Sequence, residues 1–108
     1  MEDKKLKKLS DTEKFVLKVI FDEKRPVTCT EVIDILNRKY GKKYADTTVY
    51  TFLKNIRIKG YISIYRKNVN YYEPCIDRDA FVKSEINNIL MLWFDNDKEK
   101  MKKFIDMI

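Results

Sequence analysis

Asp46-Thr47-Thr48-Val49-Tyr50-Thr51-Phe52-Leu53-Lys54-Asn55-Ile56-Arg57-Ile58-Lys59-Gly60, running on into Tyr61-Ile62-Ser63-Ile64-Tyr65-Arg66-Lys67-Asn68-Val69-Asn70-Tyr71-Tyr72-Glu73, is the stretch on which the fold turns. Its two halves have different periods. Val49, Phe52, Leu53 and Ile56 recur at i, i+3, i+4 and i+7, the spacing of one helix face. Asp46 is the expected N-cap of this helix, and Gly60 ends it. Beyond Gly60, two β-branched and aromatic runs flank a polar tip, Lys67-Asn68-Val69-Asn70. That pattern predicts a β-hairpin.

Upstream, Thr28-Cys29-Thr30-Glu31 is a capping-box pattern that opens a second helix, 29–40. Val32, Ile33, Ile35, Leu36 and Tyr40 form its apolar side, and Gly41 closes it. Pro26-Val27 reads as a short extended connector. Ser10-Asp11-Thr12-Glu13 opens a first helix, 11–23, with Phe15, Val16, Val19 and Ile20 at helical spacing. It stops near Lys24-Arg25, because a residue before Pro26 is pushed out of the α region. Residues 1–9 read as a frayed basic arm. Downstream, Val82, Ile86, Ile89, Leu90 and Trp93 restore the helical period from Asp77 onward. A break at Asp95-Asn96-Asp97 precedes a last helix bearing Met101, Phe104, Ile105 and Ile108.

The order is three helices, a hairpin, then more helix. It predicts a mainly α (α+β) fold: a winged helix-turn-helix with a two-stranded β wing and a C-terminal helical dimerisation element. The expected division is a winged-helix domain at 1–75 and a helical dimerisation region at 76–108. The chain has 108 residues, enough for one core and an appended element. Only two Gly and two Pro occur, too few for the many turns of a sandwich or barrel.

There is no His. This removes the commonest general base and the commonest zinc ligand. No Gly-rich phosphate loop and no clustered carboxylate pair is present, so no catalytic site, metal site or cofactor is expected. Cys29 and Cys75 fit no metal-ligand spacing and are expected as free thiols, buried or half-buried. No apolar run is long enough to span a bilayer, and Met1 to Ser10 lacks the apolar core of a secretion signal. A cytoplasmic protein without a membrane partner is the expectation.

The charge is unevenly placed. The net charge is +6, but residues 1–75 hold 17 basic and 10 acidic side chains, whereas residues 76–108 hold 6 and 7. From Arg38 to Tyr72 there are nine cations against one acid, Asp46. Such a basic middle points to a polyanion. On a helical wheel centred on Val49, Thr47, Thr51, Lys54 and Ile58 fall opposite the core, with Tyr50 and Asn55 on the flanks. Hydroxyls, a cation and an aromatic can meet phosphates, base edges or thymine methyls. The predicted contacts with double-stranded DNA are Thr47, Thr48, Tyr50, Thr51 and Lys54 from the third helix, Lys43 before it, and Arg66 and Lys67 from the wing. Free N–H groups at Thr47 and Thr48 should meet a phosphate.

The C-terminal stripe has another meaning. Phe81, Val82, Ile86, Ile89, Leu90, Trp93 and Phe94, with Met101, Phe104, Ile105 and Ile108, exceed what one small domain covers. An uncovered patch of that size would aggregate, so a second copy is the expected partner. A two-fold homodimer would present two third helices to an inverted-repeat operator.

Leu9-Ser10-Asp11-Thr12-Glu13 with the Val16-Leu17-Lys18-Val19-Ile20 run, Tyr44-Ala45-Asp46-Thr47-Thr48-Val49-Tyr50-Thr51-Phe52-Leu53, Lys59-Gly60-Tyr61-Ile62 and Tyr71-Tyr72-Glu73-Pro74 together resemble the penicillinase-repressor family (BlaI/MecI/CopY type). The resemblance covers roughly residues 9–95 and is strongest in the third helix. It implies a dimeric transcriptional repressor that binds inverted repeats in promoters and reads the major groove with the third helix. It also implies a regulatory protease acting on the C-terminal region at an Asn-Phe step; the corresponding step here is Trp93-Phe94. Copper-responsive relatives carry C-terminal Cys-x-Cys pairs, and this chain has no Cys after Cys75. Three other readings stand beside this one. A winged-helix adaptor for protein contact would bind DNA negligibly. RNA binding would need stacking aromatics on a broader sheet than two strands. An enzyme lacks the residues named above.

Overall fold

Two reciprocal caps set the first helices. Ser10 Oγ accepts the Glu13 amide at 3.2 Å, while Glu13 Oε1 accepts the Ser10 amide at 2.8 Å. Thr28 and Glu31 repeat the arrangement at 3.1 and 2.9 Å. Each box satisfies two amides that a helix start leaves without partners. The computed structural model describes residues 6–108; the start of the basic arm, 1–5, lies outside them. The elements are α1 (Asp11–Glu23), β1 (Val27–Thr28), α2 (Cys29–Tyr40), α3 (Asp46–Ile58), β2 (Ile62–Arg66), β3 (Asn70–Pro74), α4 (Arg78–Phe94) and α5 (Lys98–Asp106). Lys24, at φ 55°, ends α1 before Arg25-Pro26, and Gly41, at φ 64°, ends α2.

The start of α3 corrects the expected cap. Ala45 is the N-cap, without a side-chain hydrogen bond, and Asp46 is the first helical residue. Ala45 holds the extended backbone at ψ 149°, and its carbonyl accepts from both Thr48 and Val49. Asp46 still favours the helix start, because a carboxylate in the first turn faces the positive end of the helix dipole.

The first three helices bury Val16, Leu17, Val19, Ile20, Val32, Leu36, Val49, Leu53 and Ile56 completely or nearly so. Each such side chain contributes about 1.5–3 kcal/mol. The hairpin closes this core with Ile62 and Tyr72. It forms as expected, with Ile64 opposite Tyr72 and Tyr65 opposite Tyr71. The sheet is wider than the two-stranded wing, however. Val27 and Thr28 pair with Tyr72 and Tyr71, so the antiparallel order is β1-β3-β2. The Pro26-Val27 connector is thus the approach to an edge strand, with Val27 buried beside Tyr72.

The arm is held before α1 begins. Leu9 is buried, and the Tyr61 hydroxyl donates to the Lys7 carbonyl at 2.7 Å. The frayed arm therefore does not extend to Lys7–Leu9; Leu6 is exposed, and residues 1–5 lie outside the described ones. Gly60 turns the chain from α3 into the wing at φ 98°, a left-handed backbone that L side chains rarely adopt. Cys75 is exposed rather than buried or half-buried, its Sγ donating to the Gly60 carbonyl at 3.2 Å, while Cys29 is half-buried.

The chain forms two compact units, one ending at Cys75 and one beginning at Ile76. In the second, Asp77 caps α4 by accepting from Ala80 at 2.9 Å. Asp95 and Asn96 take positive φ and stop it, and Asp97 caps α5. Phe94 and Phe104 meet edge-on at 5.7 Å. Leu90 is buried; Phe81, Val82, Phe94 and Met101 are half-buried; Ile86, Ile89, Trp93, Phe104, Ile105 and Ile108 are exposed.

Candidate nucleic-acid interface

The basic stretch from Arg38 to Tyr72 divides into engaged and unengaged cations. Arg38 pairs with Asp34 at 2.6 Å, and Lys59 reaches Glu13 at 2.6 Å. Lys39 stands over the Tyr40 ring and Lys42 over the Phe15 ring, at 5.5 and 4.9 Å. These four serve the fold. Lys43, Lys54, Arg57, Arg66 and Lys67 are exposed and have no acidic partner among the described residues. Their charge is left for an external anion.

α3 holds the central group. Its core face fixes its roll: Val49, Leu53 and Ile56 are buried, so Thr47, Tyr50, Thr51, Lys54 and Ile58 stand outside. Tyr44 packs edge-on against Phe52 at 5.4 Å and steadies the loop that enters the helix. The Thr51 hydroxyl donates to the Thr47 carbonyl at 2.9 Å. Thr48 departs from expectation. It is half-buried, and its amide donates to the Ala45 carbonyl at 3.0 Å rather than standing free. The amide of Thr47 has no partner among the described residues. The turn at 45–48 tightens at the N-cap, which uses one donor and leaves the other.

Beside this face runs an open groove of about 420 Å³ lined by Cys29, Thr30, Ile33, Asp46, Thr47, Tyr50 and Thr51. It joins the start of α2 to the start of α3. Burial, and then the Asp46 carboxylate nearby, push the Cys29 thiol above its ordinary value. Cys29 therefore stays an uncharged wall of the groove at neutral pH. Thr30, exposed at the groove's edge, was legible only as part of a capping box.

The wing carries the remaining charge. Arg66 ends β2 and donates to Asn70 Oδ1 across the strands at 3.2 Å. The Lys67 amide donates to the Val69 carbonyl at 3.1 Å and closes the tip. Arg57 is the cation that sequence reasoning passed over. It sits on the flank of α3 with Tyr50, one side round from Lys54. Burial, and then the Cys29 and Tyr50 groups nearby, push the Tyr72 hydroxyl upward, while Arg57 opposes them. The signal was its i+7 relation to Tyr50.

The solution structure of the Bacillus licheniformis BlaI monomeric form in complex with the blaP half-operator is similar to this chain, with a TM-score of 0.57 and 29% identity over 69% of this chain and 89% of that one. The solution structure of the DNA-binding domain of the repressor BlaI gives 0.57 and 29% over 70% and 90%. The complex structure of hsRosR gives 0.58 over 91% and 89%, but at 18% identity that likeness shows the fold alone. No curated protein sequence matches the chain. The family model described as penicillinase repressor matches residues 9–106, and the chain belongs to that family.

Proposed function

We propose that this chain is a DNA-binding transcriptional repressor that acts as a homodimer on an inverted-repeat operator, with α3 in the major groove. The family is one of repressors and not of enzymes. One observation carries the reading. The outward face of α3 and the wing together hold cations without acidic partners among the described residues, and no acid occurs from Thr47 to Tyr72. Phosphates would meet attraction along the whole surface. The two BlaI structures support it, since one holds a half-operator and the other is a DNA-binding domain.

Within this reading Thr47, Tyr50, Thr51 and Lys54 face the bases, joined by Arg57. Lys43, Arg66 and Lys67 contact backbone phosphates, and Thr48 supports the turn. The exposed apolar residues of α4 and α5 pair two copies. The mechanism is occupancy of the promoter. A regulatory protease that requires an Asn-Phe step would not find it here, since Trp93-Phe94 stands in its place at the end of α4. A mobility-shift titration tests the central claim. Operator affinity should fall steeply with salt, and Thr51→Ala or Lys54→Ala should weaken it with unchanged circular dichroism. Salt-insensitive, negligible binding would favour a protein adaptor instead.

A further inference from the structure

We infer that this chain reads its operator through thymine methyl groups, with the γ-methyl of Thr51 and the side chain of Ile58 as the reading atoms. The inference rests on the proposed placement of α3 in the major groove. Four residues form the central outward stripe of that helix: Thr47, Thr51, Lys54 and Ile58. Guanine is read best by an Arg fork, adenine by the amide of Asn or Gln, and cytosine by a carboxylate. The central stripe has none of these; Arg57, the one fork on this helix, stands on the flank with Tyr50 and is left to guanine or phosphate at the margin of the site. The stripe's one cation, Lys54, can approach guanine or a phosphate. The nearest amide, Asn55, is half-buried on the flank.

What the stripe offers is apolar. Ile58 is 60% exposed, and Tyr50, two turns earlier on the flank, is 52% exposed. The Thr51 hydroxyl hydrogen is engaged with the Thr47 carbonyl at 2.9 Å, so Thr51 presents its methyl rather than a donor. Apolar contact is the form of recognition suited to the C5 methyl of thymine, which no other standard base carries. From Thr47 to Ile58 the helix rises about 16 Å, so the reading spans at most about five base-pair steps.

The test uses the full chain and duplexes recovered by selection from a random-sequence pool. Each thymine in a half-site is replaced in turn by uracil, which removes the methyl and keeps the pairing. At least one replacement should weaken binding about fourfold, the value of one buried carbon. All sensitive positions should fall within about six consecutive pairs. In Thr51→Ser, which loses only the methyl, or in Ile58→Ala, the matching replacement should cost nothing further. Uniform indifference to uracil would overturn the inference while leaving the repressor reading intact. So would a uracil penalty that persists undiminished in both variants. Failure to bind any duplex in dilute salt would instead remove the repressor reading, and this inference with it.

Discussion

Glu13 holds two positions at once. It completes the capping box of α1 and receives Lys59 from the far end of α3, at 2.6 Å. Its side chain is buried and that of Lys59 mostly so. Burial alone would raise its pKa. The Lys59 ammonium, the Ser10 amide and the Ser10 hydroxyl outweigh it and hold the carboxyl below its ordinary 4.5. A carboxylate lowered in the folded state stabilises the fold above the unfolded value and loses that contribution as pH falls through the folded value. Glu13→Gln keeps the cap geometry and removes the charge. It should lower stability by about 1–2 kcal/mol at pH 7, measured by urea unfolding. The gap should shrink below about pH 4.5 and vanish in stronger acid. A gap of constant size across pH would remove the ion pair as its cause. Other single residues show what sequence can tell. Ser10, Glu13, Thr28 and Glu31 were legible because a capping box is complete within four residues. Asp46 was placed one position early, since a carboxylate suits both the cap and the first turn. The engagement of Lys59 was not legible, because its partner is 46 residues away.

The elements separate along the same line. α1, α2, α3 and the hairpin follow from local period and turn residues, and each is where the sequence put it. β1 was missed as a strand because two residues cannot display an alternation, and their partners, Tyr71 and Tyr72, are supplied by the wing. The hold on Lys7 was hidden in a lysine-rich run, and depends on Tyr61, 54 residues away. The consequence for the candidate site is that the wing is anchored on both edges of β3 and only its tip is free. Arg66 and Lys67 stand at that tip. If each neutralises one phosphate, Arg66→Ala and Lys67→Ala should each reduce the slope of log affinity against log salt by about 0.9. The order of preference among operator sequences should stay unchanged, because backbone contacts carry no base information. A slope that does not move in either variant would take the wing off the DNA. A changed preference would place one of these cations on a base instead.

At the scale of the molecule, the second unit poses the remaining question. It begins at Ile76 and holds α4 and α5. Its described surface leaves Leu92 and Trp93 71% and 74% exposed, with Ile86, Ile89, Phe104 and Ile105 also outside. The caps at Asp77 and Asp97 set the helices firmly, so this exposure is not the fraying of a loose tail. The family match extends to residue 106, beyond the span on which the resemblance was first drawn, and therefore includes α5. A second copy is the occupant this reading assigns to that surface. Ile89→Asp and Trp93→Asp, one helical turn apart, place charge on residues already exposed in the single chain, so each protomer should keep its helix content. Sedimentation should then change from dimer to monomer mass. Linking two DNA-binding units gives the second a local concentration near millimolar, so affinity for the full inverted repeat should fall about a hundredfold or more. Affinity for an isolated half-site should hardly change, since each protomer keeps its own α3 and wing. Should the unaltered chain sediment as a monomer at micromolar concentration and bind full and half-sites equally well, the paired-copy assignment would fail, and the apolar face of α4 and α5 would belong to a different partner.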